Sequence, residues 1–343
     1  MIFSHPARFV SIFSSYDECA NEERNIMEYQ EFLCAVEGQL NKKLKEGVKA
    51  KVYTAQKNNG REKKGILFET KELSTSPAVY LEGLFYRFQK GEQLGGLVQE
   101  ILDFYGSIEG KEPWGYHQLQ EYDVIKDRVV FRLIHTEKNK RMLEHIPSVE
   151  ILDLSMVFYI LLQLDEEGTA TVQISNAHLK MWGINREQLY PAAIKNASVL
   201  LPAEFFTMHY AIEEMLEEAA GEEGDSVKRR DEKENLLSQI GEQPEDTMYV
   251  LTNFIRYCGA ACVFYPHILD MIGEMLKEDY FVLPSSIHEV IVVPESKGLD
   301  AEEMCKMVKE INETQVAPEE VLSDHAYFYR RKERQLMFQK PGL

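Results

Sequence analysis

The sequence predicts an α+β fold with antiparallel sheets, and two patterns carry that prediction. Short apolar runs rich in β-branched and aromatic residues come in pairs and are bounded by Asn, Gly, Pro or Ser, which is typical of half-buried strands. Between these pairs, apolar residues recur at the spacing of an amphipathic helix. The chain has 343 residues, enough for two domains of ordinary size or one large domain with an insertion, and it can bury a sizeable core without disulfides or metals.

The N-terminal part predicts an αβββα module. The sequence Asn58-Asn59-Gly60 separates two alternating apolar and polar runs, and Asn-Gly is a strong hairpin signal. An amphipathic helix is predicted on each side of the strands. The predicted elements are a helix over Glu23–Lys45, strands over Val48–Gln56, Gly65–Thr70 and Ala78–Leu81, and a helix over Glu92–Tyr105.

The middle of the chain predicts a hairpin and several helical segments. The acidic turn Asp165-Glu166-Glu167-Gly168 joins two apolar runs, and Asn176 and Asn185 are suitable N-caps for two following helices. The predicted elements are a helix over Asp123–Pro147, strands over Leu154–Leu164 and Thr169–Ser175, a helix over His178–Trp182, a helix after Asn185, and a short extended segment over Leu201–Phe206.

An acidic segment follows. Residues 213–246 contain thirteen acidic and four basic residues, a net charge of −9. Four Gly and Pro residues and a scarcity of apolar residues favour a flexible linker over 217–246. The alternative interpretation is that this acidic segment is a regulated interaction segment.

The C-terminal part predicts an antiparallel ββαββαββ domain. Strands are predicted over Met248–Thr252, Ala260–Tyr265, Tyr280–Leu283, Glu289–Val293, Ala326–Tyr329 and Leu336–Phe338, with helices around Ile268–Leu276 and over Ala301–Ile311. The whole chain is therefore divided into an N-terminal extension (1–22), an αβββα module (23–110), a middle hairpin and helical segment (111–216), an acidic flexible linker (217–246) and a C-terminal α+β domain (247–343).

Charge and composition exclude several classes of partner. The net charge is −19, from 38 basic and 57 acidic residues, and it repels phosphate backbones and anionic membranes. The longest apolar stretch, Met156–Leu162, is far too short to cross a bilayer, and the N-terminus lacks a clean secretory signal. The five cysteines lie in apolar runs, which favours buried thiols in a reducing compartment. We therefore expect a cytoplasmic protein with no direct contact to nucleic acid or membrane.

The turn Ser285–Glu289 holds the weak catalytic candidates. Ser286, His288 and Glu289 supply a hydroxyl, an imidazole and a carboxylate within one turn between strands, and Cys262 adds a thiol in the preceding segment. A nucleophile requires a base within hydrogen-bond reach and a third group that orients the base. The same residue types also fill turns because they bond their own backbone, and that is the favoured interpretation here.

Metal and cofactor sites are not predicted. Cys258, Cys262, His267 and His288 are ligands that zinc accepts, but a Cys-x₃-Cys spacing within an apolar run favours buried thiols. The sequence 91–96, GEQLGG, lacks the Lys and the preceding strand of a phosphate-binding loop. Three acidic residues of the middle region are likewise expected on solvated surfaces: Asp123, Asp127 and Asp153.

Five segments of the sequence form a distinctive combination: HLKMWGI (178–184), MYVLTN (248–253), GAAC (259–262), LPSSIHEVI (283–291) and VKEINETQVAPEEVLSD (308–324). In these segments the chain resembles an uncharacterised bacterial domain-of-unknown-function family that is common in anaerobic gut bacteria. The resemblance spans most of residues 24–330. It implies family membership and a cytosolic location, and it implies no chemistry.

The favoured function is that of a non-enzymatic cytosolic protein-binding or adaptor protein whose pathway is not encoded in these motifs. Aromatic residues on predicted strands, such as Tyr249, Tyr265, Tyr280, Tyr327 and Tyr329, are suited to partner surfaces or to the core. The alternatives are a small-molecule hydrolase that uses the Ser285–Glu289 turn, and an acidic nucleic-acid mimic that inhibits a DNA-binding protein. The oligomeric state stays open.

Overall fold

The computed structural model describes residues 2–4, 27–70, 79–108, 119–165, 168–219, 235–238, 246–297 and 300–338. The helices are α1 (Tyr29–Lys43), α2 (Glu82–Gln89), α3 (Leu94–Ile108), α4 (Tyr122–Ile125), α5 (Lys140–Leu143), α6 (Asn176–Trp182), α7 (Arg186–Leu200), α8 (Met208–Ala219), α9 (Ile268–Leu276) and α10 (Ala301–Thr314). The strands are β1 (Ile2–Ser4), β2 (Val48–Gln56), β3 (Glu62–Thr70), β4 (Val79–Tyr80), β5 (Val129–His135), β6 (Ser148–Ile151), β7 (Leu154–Asp165), β8 (Gly168–Gln173), β9 (Ala203–Thr207), β10 (Tyr249–Asn253), β11 (Tyr280–Leu283), β12 (Val290–Pro294), β13 (Tyr327–Arg330) and β14 (Gln335–Phe338).

The protein has an α+β fold with antiparallel sheets, as the sequence predicts. The described residues group into two compact units. One contains the residues up to Ile125 together with those of Leu161–Val172, and the other contains Lys126–Ile160 and the residues from Gln173 onward. The predicted division into five segments stays a prediction. However, β9 lies before the acidic segment and pairs with β10 after it, so one sheet takes strands from both sides of the predicted linker.

The first unit is built around the sheet β2-β3-β4. β2 and β3 pair over nine residues, and Asn59 takes a left-handed conformation with φ 58° in the turn between them, as the Asn-Gly signal predicts. Phe32, Val36 and Leu40 of α1 are buried in one core with residues of the sheet and of α3. The αβββα order is present with one addition, because α2 precedes α3 and was not predicted.

The helix predicted over Asp123–Pro147 is wrong in its centre. Residues 129–135 form strand β5, which pairs with β7 from Val129↔Ile160 to His135↔Leu154. Short helical segments flank this strand. The β-branched residues Val129, Val130 and Ile134 are buried there, so packing in a sheet outweighs the ambiguous period of the sequence.

The second unit contains a six-stranded antiparallel sheet in the order β14-β13-β11-β12-β10-β9. The predicted strands around residues 250, 282, 291, 328 and 337 are all members of this sheet, and the segment near Leu201–Phe206 supplies β9. Met304 and Val308 of α10 are buried in one cluster with Phe281, Val293 and Phe328 of the sheet. The β-hairpin β13–β14 closes one side, as predicted.

The predicted strand over Ala260–Tyr265 is a 3₁₀ helix, Gly259–Phe264. It follows Cys258, whose backbone is left-handed with φ 54°. Small residues let this segment pack closely, since Gly259, Ala260 and Ala261 are all buried. The apolar run predicted burial correctly but not the backbone conformation, because periodicity does not separate a short buried strand from a short buried helix.

Helices α6 and α7 of the second unit each begin at an N-cap residue whose side chain accepts a backbone N–H of the first turn. The side chain of Asn185 accepts a hydrogen bond from the Gln188 N–H, as expected for an N-cap of α7. The cap of α6 differs from the prediction, because Ser175 rather than Asn176 is the N-cap residue. Its hydroxyl accepts the His178 N–H at 3.3 Å, while the His178 ring accepts the Ser175 N–H at 3.0 Å.

Most of the predicted acidic linker lies outside the described residues, namely 220–234 and 239–245. Its first residues belong to α8, which runs to Ala219. Asn235 and the turn Leu236–Ser238 contact β9, since the Asn235 side chain accepts the Phe205 N–H at 3.0 Å.

Candidate functional site

The turn Pro284–His288 is bonded to two other segments through its backbone. Leu322 and Ser323 donate N–H groups to the carbonyls of Ser285 and Pro284 at 3.0 and 2.9 Å, and Ile287 donates to Glu320 at 2.9 Å. On another side, Ala260 donates to the carbonyl of Ile287 at 3.2 Å. Three segments that carry the family resemblance therefore meet at this turn: 259–262, 283–291 and 308–324.

Gly259 is required at this junction. A Cβ atom on Gly259 would lie 2.1 Å from Thr252 Oγ1, 2.5 Å from the Asn253 nitrogen and 2.7 Å from the His288 carbonyl. The Thr252 hydroxyl also donates to that His288 carbonyl at 2.8 Å. The end of β10 and the turn are thus packed too closely for any side chain at position 259.

Both ring nitrogens of His288 have neighbours other than Ser286. Nδ1 accepts the backbone N–H of Cys258 at 3.3 Å, and Nε2 lies 3.4 Å from Glu320 Oε1. Because Nδ1 accepts, this geometry places the ring proton on Nε2, directed at the Glu320 carboxylate. The contact between Ser286 and His288 is made by the backbone instead, where the His288 N–H donates to Ser286 Oγ at 3.0 Å.

Ser286 and Glu289 do come together. Burial raises the pKa of the Glu289 carboxyl above its ordinary range, and a hydrogen bond from Ser286 acts in the opposite direction. Ser286 is itself buried. The turn therefore pairs a hydroxyl with a carboxyl, without an imidazole in the position of a base for that hydroxyl.

Cys262 lies away from this pair, within the buried 3₁₀ helix. Burial raises the pKa of its thiol strongly, while a hydrogen bond with Tyr265 acts in the opposite direction. Cys258 is buried too, and burial raises the pKa of its thiol although the guanidinium of Arg132 lowers it. Both thiols therefore have the character of small buried apolar groups rather than of nucleophiles.

The cysteines differ from one another in exposure. Cys258, Cys262 and Cys305 are buried, as predicted, whereas Cys34 is exposed on α1. Position 34 lies on the side of the helix opposite the buried Val36 and Leu40, so the apolar run around it did not predict its burial correctly. Cys19 lies outside the described residues.

A second polar cluster lies around Asp153, which the sequence predicts on a solvated surface; that prediction is wrong, because the Asp153 side chain is only 14% exposed. Asp153 Oδ2 accepts the hydroxyl of Ser323 at 2.7 Å, Oδ1 accepts the phenol of Tyr327, and Nε2 of His135 lies 3.9 Å from Oδ2. Ser323 and Tyr327 are almost fully buried, so the cluster fastens β13 to the turn between β6 and β7. Nothing in the sequence spacing indicates this contact, because 170 residues separate Ser323 from Asp153.

The described residues contain no group of three or more His, Cys, Asp or Glu side chains arranged to hold a metal ion. Within the same residues, no helix is both long enough and apolar enough to span a membrane.

The aromatic residues proposed as a partner surface are in the core. Tyr249, Tyr265, Tyr280, Tyr327 and Tyr329 are all buried. The Tyr280 hydroxyl donates to the Leu269 carbonyl at 2.8 Å, and the Tyr280 and Tyr329 rings stack at 5.0 Å. Of the two roles that the sequence leaves open for these tyrosines, the structure shows the one in the core.

Helix α8 instead presents apolar side chains to solvent. Ile212 is 49% exposed and Leu216 is 66% exposed, and the two residues lie one turn apart on the same face. The opposite face packs inward. The Tyr210 and Phe206 ring centroids lie 5.4 Å apart, and Arg256 Nη2 lies 2.9 Å from Glu214 Oε2. This outer face, Ile212 and Leu216, is the candidate binding surface.

The comparisons with known proteins agree with the predicted resemblance. Residues 29–331 match the model of a family described as a family of unknown function, DUF5688. No curated protein and no solved structure matches the chain. Because the match covers nearly the whole chain, the protein belongs to the family of unknown function DUF5688.

Proposed function

We propose that this chain is a non-enzymatic protein-binding protein and that the outer face of α8 contacts its partner. The observation that carries the proposal is the pair of exposed apolar side chains Ile212 and Leu216. Single exposed apolar residues are common on protein surfaces, but a pair at i and i+4 gives a partner helix or groove a continuous contact.

The position of α8 supports this role. Arg256 binds Glu214 at 2.9 Å and lies over the Phe206 ring at 4.1 Å, so the inner face of the helix is fixed on the sheet. The outer face is thus held in one orientation before a partner arrives. A surface that is ordered in advance loses less conformational entropy on binding.

The charges on α8 and in the sequence that follows it favour a basic partner. Glu213 follows Ile212 in the sequence, and its side chain is exposed. The Nε2 atom of His209, which is also exposed, lies 3.2 Å from Glu213 Oε1. The sequence 213–246 carries a net charge of −9. A partner with basic residues flanking an apolar stripe would complement both features, and we propose that class of partner.

The surroundings of the turn also support a binding role over catalysis. The His288 ring contacts the Cys258 N–H and Glu320, and the Cys262 thiol is buried with a raised pKa. No contact in the described residues favours the hydrolase or the nucleic-acid mimic over binding.

The direct test is isolation of the tagged protein from its native cell extract at moderate salt, with identification of retained proteins by mass spectrometry. Three forms are compared: the wild type, a double variant Ile212→Glu with Leu216→Glu, and a control Val199→Glu. Val199 is 71% exposed on α7, so the control adds a carboxylate at another exposed apolar position.

We expect a stoichiometric partner that the wild type and the Val199 control retain and the double variant loses. Retention of the same partner by all three forms would contradict the assignment to α8. Absence of any specific partner would contradict the binding function itself.

We also propose a cytosolic location and no direct contact with nucleic acid. The free thiols at Cys258, Cys262 and Cys305 suit a reducing compartment, and the net charge of −19 opposes phosphate binding. Fractionation of cells with an antibody against the chain tests the location.

A further inference from the structure

The edge strands β2 and β9 each have backbone hydrogen-bonding groups that are occupied by an asparagine side chain. On β2, Asn41 of α1 accepts the Ala50 N–H at 2.9 Å and donates to the Ala50 carbonyl at 2.8 Å. Glu37 takes the next outward donor, the Val52 N–H, at 2.9 Å. The helix thereby occupies backbone groups that another strand would otherwise use.

A related contact occurs on β9 at one end of the six-stranded sheet, where the amide bonds two residues instead of one. Asn235 accepts the Phe205 N–H and donates to the Ala203 carbonyl, both at 3.0 Å. An amide side chain thus bridges residues i and i+2 as a neighbouring strand would. On both edge strands, an asparagine amide therefore occupies one outward N–H and one outward C=O of the backbone.

The other end of this sheet, β14, carries no such block within the described part of the chain. β14 pairs with β13 along one side, from Tyr327↔Phe338 to Arg330↔Gln335. Its outward side has no side-chain hydrogen bond from a described residue, and alternate N–H and C=O groups point there. Phe338 is also partly exposed beside the Tyr327 ring, at 5.6 Å.

The charge next to β14 is opposite in sign to that of the chain as a whole. The turn 330–334 has four basic residues and one acidic residue, a net charge of +3, whereas the whole chain has −19. Arg331 binds Glu274 at 2.8 Å and Arg334 Nε lies 3.8 Å from Asp270 Oδ1, so the positive charge offered to a partner comes mainly from Arg330 and Lys332, which are exposed. The open edge therefore lies beside a basic turn, which favours acidic residues in whatever pairs with it.

A second copy of this chain does not suit the edge. In an antiparallel pairing of two β14 strands about a twofold axis, the C-terminal end of one strand lies beside the basic turn of the other, and the strand sequence QLMF (335–338) supplies no acidic residue there. An extended peptide with acidic residues at its C-terminal end supplies the missing negative charge.

We propose that β14 binds an extended acidic peptide by strand addition. This inference rests on the proposed protein-binding function but not on the face of α8. Every strand pairing of this sheet is antiparallel, so the added strand runs antiparallel to β14. Its C-terminal end then lies beside the turn 330–334, and the peptide carries alternating apolar residues followed by Glu or Asp.

The test measures fluorescence anisotropy of a labelled probe peptide, Thr-Val-Thr-Val-Thr-Val-Gly-Glu-Glu-Glu, titrated with the full chain. The same peptide in reverse order is the orientation control. Two further peptides carry N-methyl groups on alternate residues, one on odd and one on even positions. Strand addition uses the amides of only one set, so one methylated peptide should lose at least tenfold in affinity and the other should not.

The charge contribution is tested with the double variant Arg330→Glu and Lys332→Glu. The matched control is Lys49→Glu with Lys51→Glu, which makes the same charge change on the closed strand β2. We expect about a tenfold loss of affinity for the first and little change for the second. The α8 double variant should bind the probe as the wild type does, which separates this site from the proposed contact on α8.

Equal binding of the forward and reversed peptides, or equal losses for both methylated peptides, would overturn strand addition. No binding of the probe would overturn it as well, even if the α8 surface retains its own partner.

Discussion

Tyr327 and Asp153 are joined by a hydrogen bond in which the buried phenol donates to the carboxylate oxygen Oδ1. The Ser323 hydroxyl donates to the other oxygen at 2.7 Å. Burial raises the pKa of Tyr327 well above its ordinary range, so the phenol stays a donor at neutral pH. These contacts hold β13, and with it the hairpin that carries β14, on the turn before β7.

Removal of the phenol oxygen should therefore destabilise the protein. We expect Tyr327→Phe to lower the free energy of unfolding by about 1.5–3 kcal/mol, the usual range for a hydrogen bond to a charged group. Urea unfolding followed by circular dichroism measures this. Tyr86→Phe at an exposed ring is the control and should change stability by less than about 0.5 kcal/mol. Equal effects of the two substitutions would contradict a structural role for the Asp153 contact.

Gly259 gives a second stability prediction. Gly259→Ala places a Cβ within 2.1 Å of Thr252 Oγ1 and 2.5 Å of the Asn253 nitrogen, so backbone segments must separate. We expect a loss of about 3 kcal/mol or more, measured by thermal unfolding. The control is Gly96→Ala on α3, where nothing lies within 4 Å, and it should stabilise the helix by about 0.5–1 kcal/mol.

His178 makes stability depend on pH. Burial lowers the pKa of its ring below the ordinary 6.5, and Nδ1 accepts the Ser175 N–H at 3.0 Å. Below pH 6.5 the unfolded state takes up a proton that the folded state resists, so stability falls as the pH falls. His178→Gln keeps an acceptor for the cap and removes this proton uptake. Urea unfolding at pH 7.5 and pH 5.5 should show a smaller acid loss for the variant, and an identical loss would contradict the prediction.

Glu289 has the opposite dependence. Burial raises the pKa of its carboxyl, so the wild type loses stability as the pH rises through that raised value. Glu289→Gln removes the cost of the buried charge and still accepts a hydrogen bond from Ser286. We expect the variant to be more stable than the wild type at pH 7 and close to it at pH 4. A destabilised variant at pH 7 would show that the charged carboxylate is needed.

The sequence predicted most elements of the fold because their signals are local. The Asn-Gly turn between β2 and β3, the Asn185 cap of α7 and the paired strands of the C-terminal sheet all depend on neighbouring residues. It failed where tertiary contacts decide the conformation. The strand β5 and the 3₁₀ helix Gly259–Phe264 are both apolar runs whose backbone is set by what packs against them.

The candidate site was predicted less well than the fold. The residue types in the turn Ser285–Glu289 were identified, but the orientation of the His288 ring depends on Cys258 and Glu320, which are distant in sequence. The exposed pair Ile212 and Leu216 was missed because α8 shows apolar residues on more than one face. Only the packing of Tyr210 and Glu214 against the sheet determines which face remains outside.

Photo-crosslinking in living cells shows whether α8 contacts a partner. A benzophenone amino acid replaces Leu216 in one strain and Tyr86, an exposed aromatic residue on α2, in another. We expect one discrete crosslinked protein at position 216 and none in common at position 86. No crosslinked protein at position 216, or the same set of proteins at both positions, would contradict this contact.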